Sequence, residues 1–403
     1  MVLRRADKRE RMAKKKMQKT PKVKKPTVFS GLFIKAGIAI LNLFYEMMKE
    51  MPIKDRVLIM SRQANEPTLD IRMLVEELDK RHIKSVVLCK VMEPGFGGKL
   101  KYFFEIHKQM RYLATSRVVV LDSYNIPVSV LPHREETKVI QMWHALGSMK
   151  KFGKSILDMP EGSSSSIAEV MKMHEGYDYI FTSSKESRAA FAEAFGYPED
   201  KLTVMSLPRV DAILNPNRNK EKAEKIMKRY PELTAKKTIL YAPTIHQGED
   251  VTDRIDRVIY TADTNEYNLI IKLHPLTEYK ADDYYPINVV VDTEFETIDM
   301  LSVADFVITD YSAITYEAAL KGLPIYFYAY DLDYYIEDRS FYLDYEKEMP
   351  GPIFMRIGDV IDEIESGKSI SSYKMRANQF ANKYIEKRSN CTEAIGKFIE
   401  ELL

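Results

Sequence analysis

The chain is poor in the residues that carry covalent and metal chemistry. Its 403 residues include two cysteines, one tryptophan and seven histidines. Cys89 and Cys391 stand far apart, which excludes a disulfide framework and a zinc site of clustered thiolates and fits a reducing compartment. Neither HExxH nor GxSxG occurs, and the run PGFGG at 94–98 lacks both GxGxxG and Walker spacing, so it reads as a loop. Low-complexity sequence is confined to the serines at 163–166, which read as a mobile loop. With 45% hydrophobic and 30% charged residues the composition is that of a folded protein, and at about 150 residues per domain the length predicts two to three units.

Net charge is nearly absent, at +1, but the balance is uneven. Residues 1–25 hold twelve Lys or Arg against Asp7 and Glu10, which leaves 48 bases and 57 acids for the rest. An acidic body is a poor surface for nucleic acid, so none is expected as a partner. A basic arm at 1–27 beside an apolar segment suits an anionic membrane surface, with a solvated tail as the plain alternative. In the segment 28–52 the polar residues Lys35, Asn42, Glu46 and Lys49 fall on one helical stripe, which predicts an amphipathic helix. The polar stripe favours lying in a membrane interface over packing in a core or spanning the bilayer. The long basic start and the missing small-residue cleavage site argue against a secretory signal.

From residue 56 the pattern becomes alternating strand and helix. DRVLIMS, SVVLCKV, RVVVLDS, KVIQMWH and the stretches 178–182 and 201–205 read as strands, with helices at 69–81, 103–115 and 185–195 between them. Residues 215–237 are charged and punctuated by Pro216 and Pro231, the mark of a helical connector. A second series follows with KTILYAPT, YNLIIKLHP, INVVVDT, DFVITDY and PIYFYAY as strands and helices at 297–303 and 314–321. The expected fold is α/β, with two Rossmann-like doubly wound domains facing across a cleft. The boundaries expected are an N-terminal domain at 53–225, a C-terminal domain at 226–370 and closing helices at 371–403.

Ligands of open α/β sheets bind beyond the carboxyl ends of the strands, so the residues finishing each strand are the candidates. His144 ends KVIQMWH, where a neutral imidazole can take a proton from a hydroxyl, and Lys150 and Lys151 follow to meet phosphate. His274 ends NLIIKLHP and is placed to donate to a phosphate oxygen, with Lys272 on the same face of its strand. The third group is ITDYSAITYEAALKGLP at 308–324. There Asp310, Tyr311 and Ser312 follow a strand, Ser312 is expected as the cap of a helix whose free amides suit phosphate, and Glu317 is expected to reach ribose hydroxyls. Each of these has a structural alternative as a cap, loop or surface group. Asp331 and Asp333 make a DxD pattern, a weak metal signal, and Tyr334 and Tyr335 read as packing or surface aromatics.

Five ordered segments, MWHALGSMKKFG at 142–153, SLPRVDAIL at 206–214, YAPT at 241–244, KLHP at 272–275 and TDYSAITYEAA at 309–319, resemble the CDP-glycerol glycerophosphotransferase family of teichoic acid primases and polymerases. The resemblance runs over about residues 56–395. It implies a GT-B-like arrangement in which the C-terminal domain holds the cytidine nucleotide and the acceptor approaches from the N-terminal one. It further implies His144 as base, His274 and Ser312 at the donor phosphates with Arg209, Lys150 and Tyr311 alongside, and Glu317, Asp310 and Thr244 toward the nucleotide and ribose. No metal and no cofactor is expected. The implied reaction moves a polyol phosphate, glycerol phosphate first, from a CDP-alcohol to a lipid-linked saccharide or polyol-phosphate acceptor at the cytoplasmic face of the bacterial membrane. Sugar transfer from a nucleotide sugar is the rival reaction on the same fold. The chain departs from the family pattern in Ala145–Leu146–Gly147 after the WH pair, in Ile245 and His246 after YAPT, and in Glu317, where aspartate is usual.

Overall fold

Two six-stranded sheets, each parallel throughout, form the frame of the computed structural model, which describes residues 28–91, 95–234, 236–244, 251–274, 277, 279 and 285–403. The basic arm and the residues Ile245 and His246 lie outside the described residues. The first sheet has the order β2-β1-β3-β4-β5-β6, from β1 (Lys54–Ser61), β2 (Ser85–Cys89), β3 (Ser116–Leu121), β4 (Lys138–Gln141), β5 (Tyr179–Thr182) and β6 (Leu202–Val204). The second runs β12-β11-β10-β7-β8-β9, from β7 (Lys237–Tyr241), β8 (Tyr267–Ile271), β9 (Val289–Val291), β10 (Phe306–Thr309), β11 (Ile325–Tyr328) and β12 (Ile353–Phe354). The expected α/β architecture of two doubly wound domains is what the chain adopts. In each sheet the strand order reverses once, between β1 and β3 in the first and between β7 and β10 in the second. A crevice opens at such a point because neighbouring connections leave to opposite faces.

The strands are rich in Val, Ile and Leu because helices cover both of their faces. Successive residues alternate between cores: Val57, Ile59, Val118 and Val120 enter one apolar cluster, and Leu58, Met60, Val119 and Leu121 another. The first of these clusters continues without a break into Leu240, Val307, Ile325 and Phe327 of the second sheet. The two domains therefore share a hydrophobic core rather than meeting through a wet seam.

One helix crosses an expected boundary, and two expected loops are partly helical. The division at 225/226 falls inside the helix Pro216–Arg229, whose Arg218 and Lys222 are paired with Asp299 of the second domain, so that helix travels with the second sheet. The closing residues form helices, as expected, and these pack on both domains. The helix Ile370–Tyr384 packs Phe380 and Tyr384 on Tyr316, and the helix Cys391–Glu400 returns to the first domain, where Phe398 meets Tyr179 and Phe181 edge-on and Glu400 pairs with Arg81. The PGFGG run and the serine run are partly helical: Gly95–Leu113 and Ser165–Val170 are helices, because a glycine or serine costs only about 0.5–1 kcal/mol there and packing overrides it.

The helix Val28–Lys49 resolves the three readings of its segment in an unexpected way. Tyr45 is fully buried, and Ile38, Leu41 and Met48 join it against the first domain. The opposite side shows Leu32, Phe33, Ile40, Leu43, Phe44 and Met47 to solvent. The helix is apolar on two sides, one docked on the protein and one open, with Lys35 and Glu46 on the exposed edge between them. Among the described residues it is also the one helix long and apolar enough to cross a membrane by length and composition.

Candidate active site between the domains

The crevice of the first sheet collects the ends of β1, β3 and β4. Gln141, fully buried at the end of β4, ties together the segments after β3 and β4: its amide donates to the carbonyl of Ser123 and its oxygen accepts from the backbone of Trp143. That bond accompanies a left-handed backbone at Trp143, with φ of 62°, a conformation bulky residues avoid unless their surroundings impose it. The indole is held by Phe152, stacked at 5.0 Å, and by Phe195 and His174 edge-on. The turn is followed by His144, whose ring reaches the residue that follows β3.

His144 Nδ1 donates to the carbonyl oxygen of Asp122 at 2.7 Å, and Gln63 stands beside the same nitrogen. A carbonyl can only accept, so the proton sits on Nδ1 and Nε2 keeps its lone pair. Burial pushes the ring's pKa down to about 4, the Asp122 bond and Asp70 pull it up, and the positive charge of Arg209 adds to the fall. The result is a neutral imidazole with a fixed tautomer, the form in which a histidine accepts a proton. Asp122 itself is buried and accepts from Ser61 Oγ at 2.8 Å; burial raises its carboxyl to about 6.

The second domain contributes the ends of β7, β8 and β10. Asp310 is buried and closes the β7–β10 crevice: its Oδ1 accepts from the backbone of Thr244 and of Tyr311. His274 lies exposed after β8. Burial lowers its pKa, and the neighbouring charge of Lys150 lowers it further, which places a first-domain lysine and a second-domain histidine in one electrostatic field. Lys150 is half-buried, faces the ring of Tyr335 at 6.0 Å, and has its pKa pushed down to about 8, first by burial and then by Arg339, against the pull of Asp310. Its loop is tied across the domain boundary by a single antiparallel bridge to Phe341 and by backbone bonds from Lys151 to Ser340 and from Tyr342 to Met149. Ser312 is half-exposed next to exposed Ala313.

Several residues expected at the ligand have protein partners instead. Tyr311 is fully buried; its ring stacks on Tyr335 at 3.9 Å and its hydroxyl donates to Asp331, which gives the first acid of the DxD pattern a structural task. Glu317, only 3% exposed, points not toward open space but at Arg209, whose Nη1 lies 3.0 Å from its Oε1. Arg209 is spent on Glu317 and Asp70, so it offers the cleft little free charge; burial opposes its ionisation but the two carboxylates hold it charged. Ser312 does not cap: the helix begins at Ile314 after Ala313, and the hydroxyl lies a marginal 3.5 Å from the Ile314 amide. Asp211 caps elsewhere, accepting from the amides of Cys391 and Thr392. Sequence reasoning missed Ser61, Gln63, Asp70 and Asp122. Three of these follow or end β1 and β3, so the strand-end rule that found His144 already pointed to them. Asp70, at the start of a helix, carried no such signal.

The family model for CDP-glycerol:poly(glycerophosphate) glycerophosphotransferase matches residues 43–400. This chain belongs to that family. Among curated relatives it is 32% identical over 371 residues to a teichoic acid ribitol-phosphate primase of Bacillus spizizenii, covering 88% of this chain and 93% of that one. It is 31% identical over 301 residues to a teichoic acid glycerol-phosphate primase of Bacillus subtilis, covering 73% and 76%. In fold it resembles the wall teichoic acid polymerase TagF, with a TM-score of 0.73 at 18% identity over 93% of this chain and 97% of that one. A UDP-GlcNAc 2-epimerase from Neisseria meningitidis shares the fold at a TM-score of 0.56 and 12% identity, covering 86% of this chain and 100% of that one. The chain is a transferase of the glycerophosphotransferase class with a GT-B-like fold.

The neutral histidines bear on stability as well as chemistry. His174 is buried with its pKa pushed down to about 3, chiefly by burial. In the unfolded chain a histidine binds its proton near 6.5, so between that pH and about 4 the unfolded state holds protons that folded His144 and His174 refuse, and stability falls as pH drops. Asp122, raised to about 6, works the other way, because its folded form takes up a proton first. Two histidines outweigh one carboxyl. His174→Phe is expected to gain on the wild type by about 2 kcal/mol between pH 7 and pH 5 in urea titrations; an unchanged difference would place His174 outside the buried neutral state.

Proposed function

We propose that the chain transfers a polyol phosphate from a CDP-alcohol to a hydroxyl of a lipid-linked acceptor at a membrane surface, releasing CMP, in the synthesis of teichoic acid or a related cell-wall polymer. The observation that carries this reading is His144, held neutral with Nδ1 tied to the Asp122 carbonyl, so that Nε2 is left as the proton acceptor. The acceptor hydroxyl attacks the polyol-bearing phosphorus as its proton passes to Nε2. The new P–O bond forms as the bond to the CMP oxygen breaks. Such a transition state asks for alignment and charge neutralisation more than for covalent help. Lys150, His274 and Ser312 supply that charge and those donors at the donor phosphates, and Thr244 lines the nucleotide end. Arg209, Tyr311, Asp310 and Glu317 shape the walls behind them.

Glycerol is the first polyol to test because the family model names it. Ribitol is the second, because a relative covering most of the chain is a ribitol-phosphate primase. Purified protein with bacterial lipid extract should release CMP from CDP-glycerol or CDP-ribitol and leave UDP- and GDP-sugars untouched. Nucleotide release from a sugar donor alone would assign the rival glycosyl transfer.

The open face of the helix Val28–Lys49 supports a peripheral seat on the membrane, since its other face is already occupied by the protein. Leu43→Glu with Phe44→Glu is expected to shift the protein from the vesicle-bound to the free fraction in flotation with anionic liposomes, with CMP release from a soluble acceptor unchanged. Continued flotation would remove this face from the attachment.

A further inference from the structure

Asp70 has no part in the chemistry described so far, yet it anchors the contact that joins the two walls of the site. It lies in the first turn of the helix Leu69–Lys80 and is buried. Its carboxylate accepts from Arg209 at the backbone nitrogen (2.7 Å), at Nε (2.8 Å) and at one terminal nitrogen. The other terminal nitrogen crosses to Glu317 of the second domain, whose second oxygen is buried with no hydrogen-bond partner among the described residues. Glu317 follows Tyr316, and the Tyr316 ring lies so close to Gly147 that a Cβ there would come within 2.4 Å of it. Gly147 is three residues beyond His144. Contacts therefore run from Asp70 through Arg209, Glu317 and Tyr316 to the histidine loop, crossing between the domains twice.

Buried charges of this kind are poor stabilisers, because well-packed apolar residues usually do as well or better; what they supply is one allowed geometry. We propose that Asp70 is a positioning residue for the transfer reaction: it fixes Arg209 in the orientation that reaches Glu317, and so sets the register between the His144 loop and the second-domain helix behind Ser312. The charged and titratable groups around the guanidinium are Asp70, Glu317, Asp122 and His144. With Asp70 replaced by Asn, the guanidinium loses the charged acceptor that holds its Nε and one terminal nitrogen, and Glu317 becomes its one remaining ion-pair partner.

The proposal rests on the polyol-phosphate reading, and its test separates the two. Asp70→Asn is expected to lower kcat by about 10- to 100-fold while KM and the calorimetric affinity for the CDP-polyol move less than about threefold. The double variant with Glu317→Gln should be no worse than about twice the poorer single one, since both cut one chain of contacts. Hydrogen exchange is the arm that needs no turnover. Asp70→Asn, or Glu317→Gln should the first fail to fold, is expected to speed exchange at both 142–149 and 309–320. If the wild type turns over no CDP-polyol, the functional reading fails and exchange alone decides on Asp70. Wild-type kcat in Asp70→Asn, or faster exchange confined to the helices Leu69–Lys80 and Arg209–Leu214, would overturn the proposal and leave Asp70 a local structural residue.

Discussion

Replacing His144 by alanine is expected to lower turnover by about 10²–10⁴-fold and to leave donor affinity nearly unchanged. The expectation follows from where the ring is fixed. Its Nδ1 is committed to a backbone carbonyl, which holds the tautomer without adding a charge and leaves the lone pair on Nε2. With a pKa near 4 the ring stays neutral throughout the physiological range, so kcat/KM should show no histidine limb between pH 6 and 8. His144→Asn retains a donor for the Asp122 carbonyl but cannot accept the proton, and should be as slow as the alanine variant. Calorimetry with CDP-glycerol or CDP-ribitol, set beside steady-state CMP release, separates the two effects. Weaker donor binding with turnover intact would move His144 from base to ligand.

Arg209→Ala carries the largest expected effect on stability. It strands two buried carboxylates, Asp70 and Glu317, which the guanidinium alone brings together across the domain boundary. Breaking such a pair by removing one partner costs about 3–5 kcal/mol, because the charge left behind is neither solvated nor compensated. Glu317, already raised by burial and held down chiefly by Arg209, should then be raised further, so the penalty shrinks as pH falls. Denaturant titrations at pH 7.5 and 5.5 test both statements. Adding Asp70→Asn and Glu317→Gln to the variant should restore part of the loss. A cost below about 1 kcal/mol at both pH values would mean that water reaches this cluster and that the domains part readily.

The same cluster marks where the sequence could be read and where it could not. The strands were legible because a parallel sheet covered on both faces leaves continuous apolar runs, and RVVVLDS or DFVITDY allow little else. His144 and His274 were singled out because doubly wound sheets place ligands at strand ends, and the structure puts both just beyond strands, His144 after β4 and His274 after β8. Glu317, Tyr311 and Arg209 were expected at the ligand, and their side chains bond other side chains of the protein. Their motifs mark a crowded place, and local sequence does not say whether a polar side chain there faces solvent or another domain. Whether Glu317 meets a ribose or Arg209 is decided by a contact between residues 108 positions apart. Asp70 was invisible for the same reason, since an acid in a helix's first turn is ordinarily a solvated dipole partner. The helix Val28–Lys49 showed its polar stripe in sequence but not that the apolar remainder is divided between a docked and an open face.

The most direct test of the central claim follows the label from CDP-glycerol carrying radioactive phosphorus on the glycerol side of the diphosphate, or from its ribitol counterpart. Attack at that phosphorus, with His144 taking the proton, sends the label into the lipid-linked product and releases unlabelled CMP. Label leaving as CDP, with a dephosphorylated polyol joined to the acceptor, would mean that the carbon–oxygen bond breaks as in glycosyl transfer, and would contradict the account.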